Sequence, residues 1–391
     1  MKETMRIYLI LRFLSAFGFS LEGATYTIFL KEHGLTDFQM NLMNVVCWLA
    51  MFLFQVPTGL VADVFGRKLS YLISCLFLVI GGVVYGQSQT MMGFAVAEIV
   101  LALGITFSSG AFDAWIITRL KEHGYEGSQS HITSRSTFVA YIGMIIGGSL
   151  GGFIGDGDLA YPWYAMAAMM GVTGVYGLLV MKETRGFDAH RGLEQWVRLK
   201  RTFHSSLQYL KNAKELHFIL VIDGVVVFAV QPLNMYWQQT FKAMLPDVWM
   251  LGPIKSGISL TGMIGAYLVM RFGTGKNTKR SMLVLVGATG IFTLICCCVS
   301  TTLVLLLPFL LQQFTRGWYD PIENAYRQEH LPDAERATIA SMISMIIAFI
   351  GALGLFVSGL IAEYVSIPAA WFVSGCCFIL VSLYYVRKNK R

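Results

Sequence analysis

The amino-acid sequence predicts an all-α integral membrane protein with twelve transmembrane helices. Three observations carry that expectation. Hydrophobic residues make up 55% of the 391 and charged residues only 14%, with a mean hydropathy of +0.60, whereas soluble domains carry about 25% charged residues. Apolar stretches of bilayer-spanning length recur, six before and six after a polar centre. Basic residues gather on one side of the map that those stretches define.

Spans are expected at about 6–30, 38–58, 69–87, 91–118, 136–155 and 161–181, each near the roughly 20 residues that a bilayer core requires. Six more follow at about 216–241, 249–271, 281–300, 302–324, 338–365 and 368–386, the longest of them tilted or extended beyond the lipid. Lys2 and Arg6 imitate the start of a secretory signal. Arg12 and Glu22 interrupt the run behind them and no small-residue cleavage site follows, so it reads as the first span. Residues 1–181 and 215–391 then form two six-span halves joined by a polar stretch, 182–214. That stretch sets Trp196, Val197, Leu199 and Phe203 among Arg198, Lys200 and Arg201, the pattern of an amphipathic linker lying on a membrane surface.

Sorted by this map, the Lys and Arg residues of the termini, the linker and alternate loops share one side. Only Lys31, Lys242 and Lys255 fall opposite, while Arg12 and Arg316 lie within spans. Basic loops are cytoplasmic ones, so both termini and the linker are expected in the cytoplasm of a multi-pass protein of the cell membrane, a bacterial inner or plasma membrane. The +7 net charge is thereby read as orientation rather than as a nucleic-acid surface. The seven cysteines all fall in apolar runs, and no disulfide framework or metal spacing emerges. There is no phosphate-binding glycine loop and no paired catalytic carboxylates in a polar domain, so no enzyme and no cofactor is expected. The partners expected are the bilayer and a small-molecule substrate, met by a chain working as a monomer.

Between spans two and three the chain reads Gly59-Leu60-Val61-Ala62-Asp63-Val64-Phe65-Gly66-Arg67-Lys68. Glycine here permits close helix approach, and Asp63 and Arg67 make a charge pair that moving helices must keep or break. The segment resembles the Gly-x-x-x-Asp-x-x-Gly-Arg-Lys signature of the major facilitator superfamily, at the place in the helix order where that family carries it. The resemblance extends over the whole chain through its six, linker, six layout. It implies secondary transport by two pseudo-symmetric six-helix bundles, related by an axis along the membrane normal, with a midplane solute site. In the family an acidic residue at the end of span four pairs with the signature arginine, and Asp113 takes the matching place. Gly110-x-x-Asp113 in span four is echoed by Gly317-x-x-Asp320 in span ten. Gly59, Asp63, Gly66, Arg67, Lys68, Asp113 and Asp320 are therefore the expected cytoplasmic gate.

Span five, with Gly143, Gly147, Gly148, Gly151 and Gly152, looks like the family's antiporter motif except that Gly148 stands where proline is usual. Small residues at this spacing also serve helix packing. Span eleven offers a looser seam of Gly351, Gly354, Ser358 and Gly359.

Ionisable groups at membrane depth are costly, so each needs a partner or a task. Glu22 resembles the acidic residue that drug/proton antiporters carry in the first span, placed to accept a proton or a cationic solute. Arg12, ten residues away and about 15 Å along the helix, is too distant to pair with it. Asp223 in span seven is the second proton-coupling candidate, while Asp156 and Glu363 near outer span ends read as caps or gate contacts. For solute binding, Gln231, Asn234, Tyr236, Trp237 and Gln238 form an aromatic and amide cluster, with Gln55, Gln312 and Gln313 able to face the same cavity. Tyr236 and Trp237 suit an interfacial belt equally well. The motif set favours proton-coupled export of a small amphipathic or cationic compound, as in drug efflux. The alternatives are proton-coupled import of a sugar, organic acid or peptide, and a non-transporting sensor or scaffold. Buried Glu22 and Asp223 argue against the last.

Overall fold

The computed structural model describes residues 1–127, 129–183, 214–273, 277–299, 301–331 and 336–388, so most of the expected amphipathic linker (184–213) lies outside the described residues. The described residues form helices and no strands. The first span is α1 (Lys2–Glu22) with α2 (Tyr26–Glu32), followed by α3 (Asp37–Phe65) and α4 (Arg67–Gln87). The fourth span is again divided, into α5 (Met91–Ser108) and α6 (Ala111–Glu122), before α7 (Gln129–Gly157) and α8 (Tyr161–Val180). The later spans are α9 (Lys214–Lys242), α10 (Leu251–Phe272), α11 (Thr278–Cys297), α12 (Thr302–His330), α13 (Arg336–Tyr364) and α14 (Ile367–Lys388).

All twelve expected spans are thus helical. Ten segments are long and apolar enough to cross a membrane by length and composition alone. The exceptions are α10 and α12, which carry Lys255 and Ser256, and Gln312, Gln313, Arg316 and Asp320, respectively. Polar side chains of this kind are affordable at membrane depth only where they face protein or a cavity. Many large apolar side chains are exposed, Leu303 and Leu179 the most among them, as lipid contact demands.

The helices gather into two compact units. Unit 1 comprises Met1–His33, Val46–Arg198 and Asp247–Ser256; unit 2 comprises Gly34–Val45, Leu199–Pro246 and Gly257–Arg391. In unit 1, α1 packs along α7 and α8, and α4 along α5 and α8. In unit 2, α11 packs along α12 and α14, and α9 along α13 and α14.

Two features of unit 1 position its site. The first is the glycine run of α7, which has two working faces. A Cβ on Gly143, Gly147 or Gly151 would strike the backbone carbonyl of Phe13, Phe17 or Leu21, so three successive turns of α7 lie directly on α1. Gly148 and Gly152 face the other way, onto Lys255 and Gly252 at the start of α10. The second is the division of span four. Ser108, Ser109 and Gly110 separate α5 from α6, and Gly110 has φ +75°, a left-handed conformation that glycine adopts without strain.

Candidate functional site

These features leave a cavity of about 490 Å³ inside unit 1, between α1, α4, the α5–α6 break, α7, α8 and the first turns of α10. Its charged lining residues are Arg12, Asp113 and Lys255, and its polar wall includes Ser15, Tyr71, Ser74 and Ser109. The Ser15 and Tyr71 hydroxyls are 3.0 Å apart, and Ser109 accepts a 3.1 Å hydrogen bond from Gln55 Nε2. The buried Nε of Arg12 has no hydrogen-bond partner among the described residues.

Lys255, counted from the sequence among the few cations opposite the termini and inside the span expected at 249–271, stands on the cavity wall at the start of α10. Its stem crosses Gly148, and its ammonium reaches the backbone of α1 at Gly23, where an added Cβ would lie 3.2 Å from Nζ. The neighbouring Glu22, half-buried at the end of α1, feels the charges of Lys255 and Glu98.

Glu98, on α5, was missed by sequence reasoning. It is 4% exposed and accepts hydrogen bonds from Tyr26 (2.8 Å) and Tyr85 (3.1 Å). Tyr85 is itself stacked on Trp163 with ring centroids 3.7 Å apart. The signal was a lone glutamate within the apolar run Val96-Ala97-Glu98-Ile99-Val100.

The signature loop ties unit 1 together at another end. Arg67 donates from Nη1 to the Ala114 carbonyl (2.5 Å) and to the Thr118 hydroxyl. Asp113, one helical position before Ala114, accepts a 2.6 Å hydrogen bond from Tyr8. Arg67 thus reaches the turn of α6 that begins at Asp113, the acid expected beside it. Lys68 donates to the Leu178 carbonyl at 2.8 Å. Glu183, just past α8, accepts from the Arg67 amide at 3.1 Å and so caps the N-terminus of α4. Gly66, with φ +108°, lies where a Cβ would collide with that Glu183 carboxylate. Gly59 has open space around it, so the close approach expected at the first signature glycine does not occur there.

In unit 2, Asp223 is 6% exposed and Glu323 8%. Asp223 accepts a 2.6 Å hydrogen bond from Tyr319, and Arg327 Nε lies 3.3 Å from Glu323. The two carboxyls stand close enough for their charges to interact. Asp223 Oδ2 is buried and receives no hydrogen bond from the described residues, so a proton on the pair would give it the partner it lacks. Glu323 carried no weight in the sequence because it stands at the expected end of its span.

The aromatic and amide cluster divides. Arg316 donates to Asn234 and Gln313, each at 3.1 Å. Tyr236 and Trp237 are buried within unit 2, contrary to a place in an interfacial belt, and the Tyr236 hydroxyl donates to the Asp37 carbonyl. Gln231 bonds back to the Val227 carbonyl of its own helix, and Gln238 is buried. Gln312 is buried with neither amide atom partnered among the described residues. Asp320 is exposed on α12. Asp156 caps Val248 and Trp249, and Glu363 caps Phe38, as their places near span ends suggested.

The sequence model of the Major Facilitator Superfamily matches residues 8–276 and 252–391, together nearly the whole chain. The chain belongs to the Major Facilitator Superfamily. Among relatives of this superfamily member, the uncharacterized MFS-type transporter YxaM of Bacillus subtilis (strain 168) is 21% identical over 386 residues, covering 97% of this chain and 94% of its own. Multidrug resistance protein 2 of the same organism is 22% identical over 240 residues, 58% of this chain and 55% of its own. The nucleoside transporter NupG shares the fold, with a TM-score of 0.78, 16% identity and 99% of each chain covered. This facilitator is therefore a membrane transporter by family, and the cavity, the two carboxyl sites and the signature loop are the parts from which its specific activity is read.

Proposed function

We propose that this facilitator is a proton-coupled secondary transporter that exports a small amphipathic compound across the cell membrane by alternating access. The observation that carries the reading is that Glu22 faces Lys255, which lines the unit 1 cavity. A carboxyl that can be neutral, or charged and paired with an ammonium, gives a solute cavity two electrostatic states that differ by one proton. Asp223, facing Glu323, supplies a second proton-binding site in unit 2. The signature loop, with Arg67 on α6 and Lys68 on α8, forms the cytoplasmic gate of the same cycle, with Asp63 and Asp113 beside it. Export is supported by the two-faced glycine run of α7 and by the partial likeness to a multidrug resistance protein. The basic-residue distribution supports cytoplasmic termini.

The test is transport by the purified protein in proteoliposomes, challenged with a panel of amphipathic drugs, sugars and organic acids while internal pH is followed. The expected result is solute-driven proton movement that Glu22→Gln abolishes while the variant still folds and inserts. Full proton coupling in Glu22→Gln would remove that residue as the carrier, and solute flux indifferent to a pH gradient would remove proton coupling altogether.

A further inference from the structure

We propose that Glu98 is a second proton-binding residue of unit 1, linked by charge to Glu22 across the α1–α2 break; this rests on the proton-coupling reading and names a further residue for it. Glu98 lies about two turns into α5, inside an apolar run. It is 4% exposed, and no basic side chain pairs with it among the described residues. Glu323, by contrast, has Arg327, and Glu22 faces Lys255. A carboxylate at membrane depth without a cation is costly unless it is protonated or well supplied with donors. Glu98 has the donors. The hydroxyls of Tyr26 and Tyr85 both donate to Oε1, at 2.8 and 3.1 Å, and the Cys47 thiol of α3 stands beside the same carboxyl. Burial favours the neutral acid and the donors favour the charged one. Both forms are supported, as a site that loads and unloads a proton requires.

The surroundings decide which ion the site takes. Tyr26 leans on the Trp163 ring at 5.9 Å, Tyr85 is stacked on the same indole, and Phe94 meets Phe29 edge-on at 5.8 Å. Glu98 does not line the unit 1 cavity. Rings packed this closely admit a proton to the carboxyl and exclude an organic cation. His33, the other titratable group of this shell among the described residues, meets Phe94 at 5.5 Å and is tied to the Phe29 carbonyl. The link to Glu22 runs through the break in span one. Glu22 ends α1 and Tyr26 begins α2, with Gly23, Ala24 and Thr25 between them. One short segment thus sets both the carboxyl that faces Lys255 and the hydroxyl that holds Glu98. The two carboxyls feel each other's charge, so a proton on one eases ionisation of the other. A movement that takes Glu22 away from Lys255 therefore also reaches Glu98, through Tyr26.

The test is the infrared spectrum of the full-length purified chain in lipid, recorded as pH is changed. The expected result is the carbonyl-stretch band of a buried protonated carboxyl, which grows as pH falls and is lost in Glu98→Gln. Glutamine keeps an oxygen for the two tyrosine hydroxyls and does not titrate. Tyr85→Phe should keep the band and move it to higher frequency, because a carbonyl relieved of a hydrogen bond stiffens. Glu22→Gln should move the pH midpoint of the band by about one unit or more, a tenfold change in proton affinity. If Glu98→Gln does not fold, the S–H stretch of Cys47, identified by its loss in Cys47→Ala, should shift with pH in step with the carbonyl band. In proteoliposomes Glu98→Gln should lower the number of protons moved per solute. A spectrum with no pH-dependent band assignable to Glu98, or a midpoint indifferent to Glu22→Gln, would overturn the proposal. Unchanged proton movement in Glu98→Gln also overturns it, and leaves the reading of Glu22 standing. A Glu98 band in a protein that moves no protons with any solute supports the proton site and sinks the coupling reading.

Discussion

The two units carry the same sequence echo on different backbones. Gly110-x-x-Asp113 in unit 1 breaks span four: Gly110 is left-handed, and the chain restarts as α6 one residue later. Gly317-x-x-Asp320 in unit 2 lies inside the unbroken helix α12, where a Cβ on Gly317 would strike the backbone of Gly262 on α10. Neighbours decide the difference. Ser108 and Ser109 precede Gly110 and offer hydroxyls that compete for backbone groups, whereas Gly317 sits between Arg316 and Trp318 and is pressed onto another helix. Close packing is distributed unequally too. Unit 1 is tightest between α1 and α7, with three backbone contacts, while the corresponding α9–α13 pair meets this way at Gly354 against Phe228. Unit 2 is tight instead between α10 and α12, through Gly262, Gly265 and Gly317. One glycine motif therefore serves as a hinge in one half and as a crossing point in the other.

The sharpest way to break this contrast is to fill the glycine contacts. Combining Gly147→Ala with Gly151→Ala should cost about 3 kcal/mol or more, because methyl groups would press on carbonyls that cannot yield. Gly354→Ala should cost roughly half as much, for its single contact. Melting of the purified variants compares them, and equal losses would mean that α1–α7 is no tighter than α9–α13.

A smaller effect separates the two echoed glycines. Gly110→Ala should lose about 1–2 kcal/mol from left-handed strain alone, since nothing crowds the position, and Gly110→Asn should recover part of it. At Gly317, where the conflict is volume, Asn should be worse than Ala. If Asn rescues neither position or both, hinge and crossing point are not distinct.

The smallest effect concerns how each half starts its third helix. In unit 1, α4 is capped from a distance by Glu183. In unit 2, α11 is capped by its own Asn277, which accepts from the Arg280 amide at 3.1 Å. Glu183→Gln and Asn277→Ala should each cost about 1 kcal/mol or less. Only the first loss should shrink as salt rises, because only that cap is charged. Identical salt dependence in stability curves would count against the charged cap.

Periodicity made the spans and the glycine run legible, because apolar length and small-residue spacing are local properties of the chain. The two-faced use of that run was not legible, since it depends on which helices stand on either side. The cavity-facing place of Lys255 was not legible, because a cation near a span end looks the same whether it faces water or a cavity. Glu98 meets Tyr26, 72 residues away, and Glu323 meets Asp223 on another helix, and single-chain spacing carries no record of such meetings. The hydrogen bond from Tyr8 to Asp113 was not legible, because the family pattern points to Arg67 and Tyr8 lies 105 residues away in sequence.

The α1–α7 contact also limits how those helices can move past each other. Gly143, Gly147 and Gly151 recur at every turn of α7, and the carbonyls of Phe13, Phe17 and Leu21 recur at the same interval on α1. Their register repeats every four residues, about 6 Å along the axis. A slide of half that distance would drive carbonyls against the side chains between the glycines, whereas a whole-turn slide would seat them again. The pair is built as a ratchet with widely spaced notches, and a small perturbation leaves it locked.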